Sequence, residues 1–123
     1  MKGIVVTPEG EISVQEFHAP LHKTVGDVVG NHMAYVKPAR LPEPYCLIVN
    51  EDGLLLNLRP NPHATWLYGG SMHKNPIVGT IVVMKIDMTP EGHGIIGLTD
   101  EETEAMRKYL AADSIAEMIR RNE

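Results

Sequence analysis

Six histidines are the most unusual feature of this sequence. Histidine is also the side chain best suited to acid–base and metal chemistry near neutral pH. His18 and His22 stand four apart, the spacing that puts two metal ligands on one helix face. Pro20 lies between them and argues against a helix there, which leaves solvated loop histidines as the favoured reading. His63 and His73 flank Trp66-Leu67-Tyr68-Gly69-Gly70, and if they converge they could serve as acid–base or metal residues of a small hydrolase. Tyr68 to Lys74 combines free backbone N–H groups with a lysine, which suits an anion. A P-loop needs Gly-Lys-Ser/Thr opening a helix, whereas here Asn75-Pro76 leads into a strand, so an ordinary loop is favoured.

Nucleophiles fare no better. Cys46 lies in the apolar run Tyr45-Cys46-Leu47-Ile48-Val49, where a buried cysteine behaves as a small inert hydrophobe. No Gly-x-Ser-x-Gly elbow is present. The paired carboxylates Glu51-Asp52 and Glu101-Glu102 fall in a turn and a helix cap. The sequence therefore assigns no catalytic residue, no metal set and no cofactor. Trp66 is the best candidate for an exposed binding aromatic, although core packing is the commoner use of such a residue. With Asn61, Thr65, Tyr68 and Lys74 it forms the candidate ligand-binding set.

The elements that would position these groups follow from composition and pattern. The chain has 123 residues, 43% apolar and 22% charged, which suits one domain with a real core. A formal net charge of −5 argues against nonspecific nucleic-acid binding, which needs a basic footprint. One cysteine excludes an internal disulfide. The apolar run at Ile4-Val5-Val6 is too short for a signal peptide, and no stretch approaches the roughly 20 apolar residues of a membrane span. A cytoplasmic protein with no nucleic-acid or membrane partner is expected.

Gly3 to Val6 and Ile12 to Phe17 read as a hairpin about Thr7-Pro8-Glu9-Gly10-Glu11. Thr24 is placed to cap a short helix carrying Val25, Val28 and Val29 and ending at Gly30-Asn31. Strands are expected at His32 to Lys37 and, after the proline-rich loop at Pro38, Pro42 and Pro44, at Tyr45 to Val49. The turn Asn50-Glu51-Asp52-Gly53 implies a hairpin with Leu54-Leu55-Leu56 as the returning strand. Asn61 and Pro62 have the cap and first-position preferences of a helical turn over His63 to Tyr68, ended by Gly69-Gly70. Ile77 to Ile86 is the best strand, with Gly79 marking a bulge or a close backbone approach. Thr99-Asp100-Glu101-Glu102 is a capping box, and Asp113 or Ser114 can cap a last helix. Together these give an α+β fold, a mostly antiparallel five- to six-stranded sheet with one short helix and a C-terminal helix pair. Residues 1–86 would form the sheet-rich core, 87–98 a linker, and 99–123 a helical extension of the same domain.

Asn50-Glu51-Asp52-Gly53, Leu58-Arg59-Pro60-Asn61-Pro62-His63-Ala64-Thr65-Trp66-Leu67-Tyr68-Gly69 and Ile77-Val78-Gly79-Thr80-Ile81-Val82-Val83 resemble the family called domain of unknown function 3846. Its motif is an Asn followed by Ala-Thr, then Ile-x-Gly-Thr before an apolar strand. The opening Met1 to Val6 and the Val25 to Gly30 segment are similar too, so the resemblance covers about residues 1–86, with the C-terminal helices as an addition. It supplies no activity, and implies an accessory protein of phages and other mobile elements of Gram-positive bacteria. A noncatalytic binding module for a host protein or small ligand is the leading expectation. A hydrolase using His63 and His73, or an oligomeric structural protein such as a homodimer, is the alternative.

Overall fold

A computed structural model describes residues 1–70, 76–87 and 94–122. Three apolar runs, Ile4-Val5-Val6, Cys46-Leu47-Ile48-Val49 and Ile81-Val82-Val83-Met84, are buried residue after residue. A strand buried on both faces reads this way, because its alternate side chains enter two different cores. These runs form β1 (Lys2–Val6), β4 (Tyr45–Asn50) and β5 (Ile81–Ile86) at the centre of an antiparallel sheet. β2 (Ile12–Glu16) and β3 (Met33–Val36) are the edges, in the order β2-β1-β5-β4-β3. The short β6 (Ile95–Ile96) adds to β5 through Lys85↔Ile96 and Ile86↔Ile95.

One face of the sheet presents Ile4, Val6, Leu47, Val49, Ile81 and Val83. Three helices cover it: α2 (Pro62–Tyr68), α3 (Asp100–Ala111) and α4 (Asp113–Asn122). The opposite face presents Val5, Cys46, Ile48, Val82 and Met84 to Phe17 and to Val25 and Val29 of α1 (Leu21–Val29). The fold is thus α+β, with the sheet between one helix and three.

Local chemistry explains the boundaries. The first hairpin closes at Gly10, whose φ of +88° is the conformation glycine adopts without strain. Thr99 caps α3 and Glu102 reaches back to the Thr99 N–H at 2.8 Å, completing the capping box. Lys85 of β5 then pairs with Glu102 at 2.9 Å and ties that helix end to the sheet.

Three local expectations are corrected. α1 begins at Leu21, with Pro20 at the N-cap, and the Thr24 hydroxyl inside it donates to the His18 carbonyl at 2.8 Å. The strand expected from Ile77 begins only at Ile81, because Gly79 turns the chain at a φ of +81° and Val78 bridges to Pro60 instead. Leu54-Leu55-Leu56 does not return as a strand. β4 already pairs with β3 on one side and β5 on the other, so no edge is left to receive it. The segment coils instead, with Leu56 N–H donating to Asp52 O at 2.9 Å and Leu58 N–H to Gly53 O at 3.0 Å.

Candidate functional site

Asn61 is fully buried, and its side chain is committed on three sides. Its Nδ2 donates to the Val6 carbonyl at 3.0 Å and to the Gly79 carbonyl at 2.9 Å. Its Oδ1 accepts the Ala64 N–H at 3.1 Å, the N-cap bond of α2. The Asn61 backbone N–H donates to Ile77 O at 2.9 Å, and the Thr65 hydroxyl donates to Asn61 O at 2.9 Å while accepting the Ile77 N–H at 3.0 Å. One buried amide therefore pins β1, the start of α2 and the approach to β5. Both amide hydrogens are used within the fold, so Asn61 is an internal brace.

Trp66 is 5% exposed, so it takes the core placement that is the commoner use of such a residue rather than that of an exposed binding aromatic. The Arg40 guanidinium sits 4.9 Å from its ring centroid, and the tilted Tyr109 ring lies 6.5 Å away. Arg40 also donates from Nη1 to Trp66 O at 3.3 Å and from its backbone N–H to Leu67 O at 3.1 Å. The proline-rich loop is thereby fastened over α2. Tyr68 is half-buried against the same core. Lys74 and His73 lie outside the described residues. The structure does not gather Asn61, Thr65, Trp66 and Tyr68 on an open surface; two of the four are buried.

His63, the acid–base candidate, is half-buried at the start of α2. Burial pushes its imidazole below the ordinary 6.5, opposed by the Leu110 carbonyl. It borders a shallow cleft of about 230 Å³ with Pro8, Glu9, Ala116, Ile119 and Arg120. The charged groups there are occupied: Glu9 pairs with Arg59 at 2.7 Å and Arg120 with Glu117 at 2.6 Å. Among the described residues no three His, Cys, Asp or Glu side chains cluster to hold a metal. His18 precedes α1 and His22 lies inside it, so the pair does not share a helix face. Cys46 is buried, and burial pushes its thiol up to about 11.

The feature that sequence reasoning missed is the segment it placed in a strand. Leu54, Leu55 and Leu56 are 55%, 87% and 61% exposed at the tip of a coiled turn. That turn is hydrogen-bonded on several sides. Asn50 Nδ2 donates to Val29 O at 3.1 Å, and its Oδ1 accepts the Asp52 N–H at 2.8 Å. Glu51 N–H donates to His32 O at 2.7 Å, and His32 Nδ1 meets Asp52 Oδ2 at 2.5 Å. Asn57 closes the coil in the left-handed conformation, φ 56°. Leu54 also lines a small adjoining pocket of about 110 Å³ with Val49, Ile77 and Val78.

The family model for Domain of unknown function (DUF3846) matches residues 1–111. The chain belongs to the DUF3846 family. The match runs past the sheet and takes in α3, so that helix is part of the family domain, where the sequence reading had made it an addition. No curated protein and no solved structure matches significantly. The DUF3846-like motif of this chain coincides with the buried brace: Asn61, Ala64, Thr65, Ile77 and Gly79 all supply or receive its hydrogen bonds. In this chain the motif is a structural lock.

Proposed function

We propose that this DUF3846 protein is a noncatalytic binding module, an accessory protein of a mobile element that works in the host cytoplasm. Its contact with a partner protein is made by the Leu54–Leu56 tip. One observation carries the reading: three consecutive leucines held in water by a hydrogen-bonded turn. Isolated surface leucines are ordinary, but a contiguous exposed group marks an interaction site. Because the turn is ordered before binding, little conformational entropy is lost when it docks.

Removing three largely exposed leucines from water contributes roughly 4–6 kcal/mol of gross binding energy. Association itself costs about 4 kcal/mol or more, so the tip needs support from its surroundings to give a stable complex. The test is a photo-crosslinking residue in place of Leu55 in the full chain, expressed in its host, with Ser13 on the exposed edge strand as the control position. An adduct with one identified protein from position 55 and none from position 13 supports the reading. Equal adducts from both positions, or none from position 55, overturn it.

A further inference from the structure

The charges beside the leucine tip restrict what it can dock against. Glu51 is exposed and makes no ion pair among the described residues. Asp52 is 37% exposed and shares its carboxylate with the exposed His32. Arg59, the cation that follows the tip in sequence, is paired with Glu9. Among the described residues, the base of the tip therefore carries the carboxylates of Glu51 and Asp52, the latter shared with His32, on a chain whose formal net charge is −5.

We infer that the partner protein offers an apolar pocket bordered by lysine or arginine, the pocket taking Leu55 and the cations facing Glu51 and Asp52. This rests on the protein-binding reading above and adds the chemistry of the partner. A projecting tip needs a concave receiver, and an unpaired carboxylate at the margin of a contact gains most from a facing cation. Two alternative occupants fit less well. A second copy arranged about a two-fold axis through the tip brings Glu51 toward Glu51, a like-charge contact that opposes association. An anionic membrane surface repels the same carboxylates.

The protein captured at position 55 is purified and titrated with the full wild-type chain and with Leu55→Glu, Glu51→Gln and Glu51→Lys, at about 0.05 M and about 0.5 M salt. Leu55→Glu is expected to weaken binding by about tenfold or more, as the loss of a central anchor does. Glu51→Lys is expected to weaken it about three- to tenfold at low salt, Glu51→Gln less, with both effects shrinking at high salt as screening removes them. The cross-linked peptide is expected to lie beside lysine or arginine. Leu55 and Glu51 are exposed, so unchanged thermal midpoints verify that each variant folds, and Leu55→Ser substitutes if the glutamate variant does not. Weakening by Leu55→Glu with no effect of Glu51→Lys leaves the protein-binding reading standing and overturns the basic border. An adduct with a second copy, or flotation of the wild-type chain with anionic vesicles lost in Leu55→Glu, also overturns it.

Discussion

The Asn61 amide donates to the Gly79 carbonyl at 2.9 Å while holding the Val6 carbonyl at 3.0 Å, so a single side chain joins β1 and the approach to β5 to the start of α2. Asn61→Ala removes three buried hydrogen bonds, taking the cap acceptor from the Ala64 N–H and the amide donor from the Val6 and Gly79 carbonyls. An orphaned buried polar group costs about 1–3 kcal/mol. The expected loss is about 3 kcal/mol in urea unfolding. Asn61→Asp is expected to lose more, since a carboxylate accepts from Ala64 but cannot donate to either carbonyl and adds a buried charge. A loss below about 1 kcal/mol for both variants shows that the brace is not what holds these elements together.

Much of this was legible along the chain, because its causes are local. Asn61-Pro62 announces a helix start through cap and ring geometry, and Thr99 with Glu102 does the same for α3. Ile81 to Met84 announces a strand buried on both faces through unbroken β-branched and apolar residues. The leucine tip was not legible, because a three-residue apolar run after a turn reads as a strand. What denies it a strand is that β4 has both edges occupied, one of them by β5 from far along the chain. Core packing was the favoured use of Trp66, but its partners are hidden for the same reason: Arg40 and Tyr109 reach it from the proline-rich loop and from α3. Asn61 was visible as a cap, while its two bonds to carbonyls depend on strands meeting across the sheet.

Trp66 tests core against contact. Trp66→Ala is expected to cost about 3–5 kcal/mol of stability, as large buried aromatics do. Arg40→Ala leaves the ring in place and loses the guanidinium over its face, an effect of about 1 kcal/mol. Calorimetric melts of the two variants separate the two effects. Equal small losses contradict the burial of the indole.

Cys46 is expected to be inert in the folded protein. Its thiol is pushed from 9 up to about 11 by burial, so ionisation alone slows reaction about a hundredfold at pH 8, before any barrier to access. Ellman's reagent is expected to label the chain rapidly in urea and scarcely at all under native conditions. Rapid native labelling means that the α1 side of the sheet opens readily.

Two histidines give opposite pH signatures. Burial lowers the His63 value below 6.5, so as pH falls the unfolded chain takes the proton first. The stability His63 allows is full above about 6.5 and is lost as pH falls through its lowered folded-state value. The hydrogen bond to Asp52 raises His32, so its contribution is full below about 6.5 and is lost as pH rises through its raised value. His63→Gln is therefore expected to flatten the acid side of the stability profile, and His32→Gln the side above about pH 6.5. Urea midpoints from about pH 4.5 to 8 check both, with other groups common to all three proteins. An acid limb unchanged in His63→Gln means that the ring is solvated in the folded state, which reopens the cleft beside Pro8 and Ile119 as a place where His63 meets a ligand.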